Sequence, residues 1–428
     1  MLFSRHTTFS WRGASAVERI ILHCDLNSFY ASVELLSHPE LRQMPVAVCG
    51  DPESRKGIIL AKNEAARAFG IKTAETIWQA RQKCPELVLL PPHHDQYREF
   101  SRLVNTIYGQ YSDLVEPFGI DESWLDITGS VHLFGGDGEA VAHQIRRRIK
   151  AELGLTLSVG VSFNKVFAKL GSDYRKPDAV TVISPSNWRR IVWPLPVGNM
   201  LFAGPAAQRA LGRYGIKTIG QLAAAEEALP ERLLGKLGRQ LWACANGLDD
   251  APVRPQHQQE PVKSVGNSFT FRENLTTREQ IRHGTAALCD SVAGRLRQQG
   301  LYCGAVQVGL RDSSFHNVSR QKQLPHSTHL MRELLDAAME LVDGVWRSGT
   351  PVRLISVTAL HLTDRLETYE QIDLFSGGQR QPRERLEQLE RTVDAIRDKY
   401  GGQAIAFGKA PEFARELSLE EPEPDGDV

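Results

Sequence analysis

The sequence predicts an α+β protein of several domains, on three observations. The chain has 428 residues, more than one ordinary hydrophobic core organises. Apolar strand-like runs alternate with helical patterns from Ile20 to about Ile183. After a glycine-broken helical stretch, a Pro- and Gln-rich segment precedes a second set of strands and helices.

Taken in order, "ILHCDLNSFYASVE" opens with an apolar run ending in turn-prone polar residues, a core strand that leaves Asp25 near its end. "PVAVCG" is a second short strand, and "GIILAKNEAARAFGI" reads as strand into helix, ended by Gly70. Apolar residues at helical spacing predict an amphipathic helix over Asp95 to Val115. "ESWLDIT" alternates as a strand, and the basic helix "AHQIRRRIKAEL" leads to the buried strand "TLSVGVSFN". Around "NMLFAGPAAQRALGRYGIKTIGQLA" two short helices meet at a tight turn. Such a unit offers helix N-terminal amides to a phosphate, or is simply a helical subdomain. "APVRPQHQQEPVKS" is a linker, and beyond it "VGNSFTF", "GAVQVGLRDSSF", "HNVSRQKQLP" and "VRLISVTALHL" read as strands, with helices over 277–299 and 330–347. Lys263, Arg272, Arg311, Arg320 and Lys322 on these strands form either a DNA-backbone footprint or a solvated face. The polar end carries "QIDLFSGGQRQ", a charged helical pattern over 382–400 and an acidic terminus expected to be disordered.

Composition is that of a soluble globular protein, with 41% hydrophobic and 24% charged residues. Lys+Arg and Asp+Glu both number 51, so net charge argues neither for nucleic acid nor for membrane. Six cysteines without a C-x-x-C pair argue against a zinc site and for buried, reduced thiols, hence a cytoplasmic address. Residues 1–17 read as a disordered leader, and no run approaches a membrane span.

The chemistry centres on carboxylates. "GIDESWLD" sets Asp121 and Glu122 side by side where a turn meets a strand. Neighbours on a strand point to opposite faces, so both reach one metal only from a strand end or turn. With Asp25 they make three hard oxygen ligands of the kind Mg²⁺ takes when substrate phosphates complete its shell. Two ions so held serve phosphoryl transfer, although an isolated Asp-Glu pair is more often surface charge.

With "HCDLNSFYASVE" followed by "VEPFGIDESWLD", and with "AKNEAARAFGIKT", "SVGVSFNKVFAKLGSDYRKPDAV" and "GPAAQRALGRYGIKTIGQL", the sequence resembles the Y-family of translesion DNA polymerases over about residues 18–375. The resemblance implies a right-hand fold: palm over 18–27 and 94–183, fingers over 28–93, and a helical thumb with a helix-hairpin-helix over 184–251. A linker over 252–262 leads to an α/β little finger over 263–366 and a tail over 367–428. It implies template-directed, low-fidelity synthesis past lesions from dNTPs on primer-template DNA, without proofreading, by a monomer using two Mg²⁺ ions. Residue by residue it makes Asp25, Asp121 and Glu122 the catalytic metal ligands, with the Leu26 carbonyl. Arg67 and Lys176 match the cations that grip the triphosphate, beside Phe29, and Tyr30 matches the steric gate that excludes a 2′-hydroxyl. Gly204 belongs to a hairpin that holds duplex by its backbone.

This sequence departs from the family pattern at three places. Asn27 stands where a second aspartate is usual, Glu64 where a tyrosine commonly touches the triphosphate, and Phe202 where the hairpin often has glycine. Glu64 is expected to turn away or to pair with Arg67 or Lys62. In the tail, "QIDLF" resembles the pentapeptide by which bacterial polymerases bind the β subunit of the sliding clamp, with Gln371 as hydrogen-bonding group and Leu374 and Phe375 as apolar anchors. A clamp-bound scaffold without activity is opposed by the retained acids. A two-metal nuclease is opposed by Arg67, Lys176 and Tyr30, which it would not use.

Overall fold

A computed structural model describes residues 18–52, 57–256, 258, 261–364, 380–402 and 404–405. The leader, the clamp-motif pentapeptide and the acidic terminus lie outside the described residues. The chain divides into two compact units, one comprising Met1–Cys49 and Ile58–Gln259, the other Gly50–Gly57 and Glu260–Val428.

The first unit is organised by a five-stranded sheet of order β5-β6-β1-β7-β8. Its strands are β1 (Ile21–Leu26), β5 (Val115–Pro117), β6 (Glu122–Asp126), β7 (Leu157–Ser162) and β8 (Val180–Ile183). β1 is central, antiparallel to both β6 and β7, and wholly buried. Its side chains alternate. Leu22, Cys24 and Leu26 enter the main core with α1 (Phe29–Ser37), α4 (His94–Tyr108) and α5 (Gly138–Leu153), whereas Ile21, His23 and Asp25 point to the other face. The helix expected over Asp95 to Val115 stops at Tyr108, because Gly109 closes it and Val115 is already in β5. α5 is capped by Asp137, which accepts from the amides of Glu139 and Ala140, and ends at Gly154 with φ 70°.

On the second face lies α6 (Lys165–Tyr174), started by Asn164, whose side chain accepts from the Phe167 amide. It lies unusually close to the sheet: a Cβ on Gly160 would stand 1.9 Å from the Ala168 carbonyl oxygen and 2.5 Å from the Ser172 nitrogen. Gly160 is the β7 partner of His23, so the glycine lets α6 settle beside the polar side of β1.

A small sheet of order β3-β2-β4 forms the segment between β1 and α4, from β2 (Val46–Cys49), β3 (Ile59–Lys62) and β4 (Val88–Leu90) with α2 (Glu64–Ala68) and α3 (Ile77–Lys83). Five short helices follow β8: α7 (Trp188–Val192), α8 (Pro205–Gly212), α9 (Ile219–Ala224), α10 (Ala228–Leu234) and α11 (Lys236–Ala245). The expected linker is anchored at its start, where Val253 is buried and Arg254 pairs with Glu116 at 3.0 Å.

The second unit is a four-stranded antiparallel sheet of order β11-β10-β12-β9. It consists of β9 (Ser264–Leu275), β10 (Leu301–Asp312), β11 (Asn317–Thr328) and β12 (Val352–Asp364), matching the four expected strands. α12 (Arg278–Gln298) and α13 (Met331–Val345) cover one face through Leu288, Val292, Leu334 and Ala338. The charged pattern near the end is α14 (Arg380–Tyr400). It docks through Arg297, buried between Glu390 and Asp394, and through Arg397, which donates to both oxygens of Asp290.

Candidate active site

The register of β1 and β6 assembles the site. Asp25 is paired with Glu122, and directly opposed residues share a face. Asp121 lies in the turn before β6, its carbonyl accepting from the Leu26 amide at 3.0 Å. Two residues before Asp25, His23 falls on the same face, edge-on to Trp124 and 2.8 Å from Ser172 Oγ. One ligand atom each from His23, Asp25 and Glu122 lie within 4.8 Å of one another, the cluster among the described residues that could hold a metal. Asp121 stands outside that limit, yet burial first, then the charges of Asp25 and Glu122, push its carboxyl up to about 6. His23 escaped the sequence reading, although its i, i+2 spacing to Asp25 on a strand was the available signal.

The site suits a cation. His23 Nε2 and Glu122 Oε2 face each other at 3.2 Å, both buried and without a well-formed hydrogen bond. Burial and then the Lys169 charge depress His23 to about 3, so its ring is neutral. Two lysines partly balance the acids: Lys169 Nζ is 2.7 Å from Glu122 and 3.1 Å from Asp25, and Lys176 Nζ is 2.6 Å from Asp25. Burial works against the Lys169 charge, but Asp25, Asp173 and Glu122 outweigh it and raise the ammonium to about 12.

Asn27 is held within the protein, its amide donating to Thr156 Oγ1 at 3.2 Å and its oxygen accepting from Ser158 Oγ at 2.9 Å. Arg67 donates to Ser28 Oγ at 3.4 Å and lies 3.3 Å from Glu64, one of the arrangements expected for that departure. Phe29 is buried, while Tyr30 is half-buried against Tyr97.

The remaining residues named from sequence sit elsewhere. Gly204 is the N-cap of α8, and Phe202, at φ 68°, is exposed two residues before it. In the second unit the basic residues divide. Arg311 donates to Asn317 at 2.7 Å. Arg320 and Lys322 pair in register with Val308 and Val306, whose side chains enter the helix-covered core, and Lys322 is bound to Glu340 of α13. Lys263 immediately precedes β9. They therefore do not form one strand-face row.

A family model described as the impB/mucB/samB family matches residues 24–173, and the C-terminal domain of that family matches 262–374. The chain is 45% identical over 392 residues to DNA polymerase IV of Acetivibrio thermocellus, covering 92% of this chain and 97% of that one. It is 38% identical over 390 residues to DNA polymerase IV 1 of Bacillus subtilis, covering 91% and 92%. Among solved structures, a Y-family DNA polymerase chimera matches with TM-score 0.71 at 22% identity, over 81% of this chain and 100% of that one, which makes the fold that of the right-hand polymerases. With both family models spanning more than half of the sequence, and relatives this similar along nearly their whole length, the chain belongs to the impB/mucB/samB family.

Proposed function

We propose that this protein is a template-directed DNA polymerase of low fidelity, which extends a primer 3′-hydroxyl from dNTPs past damaged template bases and does not proofread. The observation that carries this reading is the pairing of Asp25 with Glu122 beside Asp121, with Lys176 and Arg67 at hand for phosphate. Divalent metal use follows from the family, and two Mg²⁺ ions are the species we assign. Asp25, Asp121, Glu122 and the Leu26 carbonyl would hold them, and bound metal would activate the attacking hydroxyl and neutralise the leaving pyrophosphate.

The chain's own groups do the rest. Arg67 turns from Glu64 to the triphosphate, a stronger anion that offers the fork more oxygens. Lys176 adds a point charge where negative charge builds on the leaving group. Tyr30 presents a ring to the sugar and excludes a 2′-hydroxyl by overlap. Gly204 at the start of α8 and the basic residues Lys263, Arg311, Arg320 and Lys322 are assigned to contacts with the DNA backbone, which carry no sequence information and so tolerate damaged bases. The palm, fingers, thumb and little-finger boundaries expected from sequence accompany this reading. So do a cytoplasmic, monomeric enzyme and a β-clamp contact through Gln371, Leu374 and Phe375.

Primer extension with Mg²⁺ and single deoxynucleotides tests it, on an undamaged template and on one with a minor-groove guanine adduct. The wild type should extend both, and Asp121→Ala with Glu122→Ala neither. Failure of the wild type on both templates would leave a clamp-bound scaffold as the function.

A further inference from the structure

Asp173, in the last turn of α6, is a carboxylate shared by both lysines of the site. Its Oδ2 lies 3.5 Å from Lys169 Nζ and its Oδ1 lies 2.7 Å from Lys176 Nζ. The same two ammonium groups contact Asp25 Oδ2, at 3.1 Å and 2.6 Å, and Lys169 also contacts Glu122 Oε2 at 2.7 Å. A metal ion coordinated by Asp25 and Glu122 calls on the oxygens that these lysines already occupy. One carboxylate oxygen can take a metal and still accept a hydrogen bond, but a divalent ion and two ammonium groups crowded onto the same oxygens repel, which favours moving the lysines away.

Asp173 differs from the other acids in two ways. It is absent from the cluster that could hold a metal, and its side chain is 39% exposed against 5% for Asp25, so it accepts a cation without a large desolvation cost. It is also within reach of both lysines without any change of backbone, one helical turn after Lys169 and three residues before Lys176.

We propose that Asp173 is a positioning residue that receives Lys169 and Lys176 when a divalent metal takes Asp25 and Glu122, so that metal entry is an exchange of partners among three carboxylates. Lys169 is the competing cation in this exchange and Asp173 its acceptor. The proposal rests on the metal reading of the site. It gives the two residues opposite effects on metal affinity: losing the Lys169 charge removes a competitor, whereas losing the Asp173 charge leaves both lysines on the ligand oxygens.

The test is Mn²⁺ binding to the full chain without DNA or nucleotide, followed by the electron paramagnetic resonance of free Mn²⁺. Lys169→Met should tighten binding about tenfold and Asp173→Asn should weaken it by a similar factor. Asp173→Glu, which keeps the charge, should restore wild-type affinity. Asp25→Asn serves as the reference and should abolish binding. If Lys169→Met does not fold, Lys169→Gln, which keeps a donor without the charge, reads the same shift. Wild-type affinity in both charge-removing variants, with binding lost in Asp25→Asn, would overturn the exchange and leave the metal reading standing. Undiminished binding in Asp25→Asn would overturn the metal reading itself.

Discussion

Tyr30 lies flat on Tyr97, with ring centroids 4.0 Å apart and an interplanar angle of 11°. Tyr97 is fully buried and donates its hydroxyl to Glu34, which also accepts from the His93 amide at 3.2 Å. The ring proposed to check the sugar therefore rests on a fixed floor, since a stacked and hydrogen-bonded aromatic has little freedom to move. Tyr30→Ala should lower discrimination against ribonucleotides by about a hundredfold, the scale on which a pocket resolves one hydroxyl. Tyr97→Leu should give a smaller loss with Tyr30 intact. Single-nucleotide incorporation with matched dNTP and rNTP measures both, and unchanged selectivity in Tyr30→Ala would remove the gate assignment.

Gly160 is a packing requirement of the site. An added Cβ would meet backbone atoms of α6 at 1.9 Å and 2.5 Å, so the helix must move away from β7. Gly160→Ala should cost at least about 1–3 kcal/mol, the usual range for overpacking, because α6 must back away from the sheet. Thermal unfolding of the variant beside the wild type reads the loss, and an unchanged melting temperature would remove the packing requirement.

Arg297 joins α12 to α14 with a side-chain exposure of 6%, against 5% for its partner Glu390. Removing one partner leaves buried uncompensated charge, so Arg297→Met should destabilise the second unit by about 3–5 kcal/mol. Urea unfolding should show an early transition for this variant, whereas Arg278→Met, at an exposed pair with Asp343, should shift little.

His329 is buried and stacked on Tyr302 at 4.3 Å, with neither ring nitrogen hydrogen-bonded. Burial, then the charges of Arg297, Arg391 and Arg383, lower its pKa from 6.5 to about 4, with Asp394 opposing. The unfolded chain binds the proton first as pH falls, so His329 contributes stability that is whole above about 6.5 and is lost toward about 4. His329→Phe keeps the stack and removes the proton. Between pH 7.5 and 5 it should lose less melting temperature than the wild type, and equal losses would exclude this group as the cause.

The proposed clamp contact can be tested apart from catalysis. Leu374→Ala with Phe375→Ala should abolish stimulation by the β clamp while leaving distributive primer extension unchanged, because neither residue is among those assigned to metal, nucleotide or DNA. Equal loss of both activities would sink the assignment.

Much of this protein was legible in its residues. Strand and helix order followed from period-2 and period-3.6 patterns, because local spacing encodes helix and strand faces. Asp25, Asp121 and Glu122 raised a metal reading through ligand hardness, whereas the roles expected of Arg67, Lys176 and Tyr30 came from the resemblance to the Y-family. His23, Lys169 and Asp173 were not legible as one group. His23 acquires its place from the pairing of β1 with β7, and the two α6 residues acquire theirs from the Gly160 contact. The basic residues of the second unit show the same limit: register, invisible within a single strand, sets Arg320 and Lys322 opposite Val308 and Val306 of β10, and neither pairing could be read from the strand alone. Sequence by itself determined the order of elements and the family, which depend on local pattern and ordered motifs. Tertiary structure alone decided which cations contest those acids, since that depends on register and close approach between segments more than a hundred residues apart.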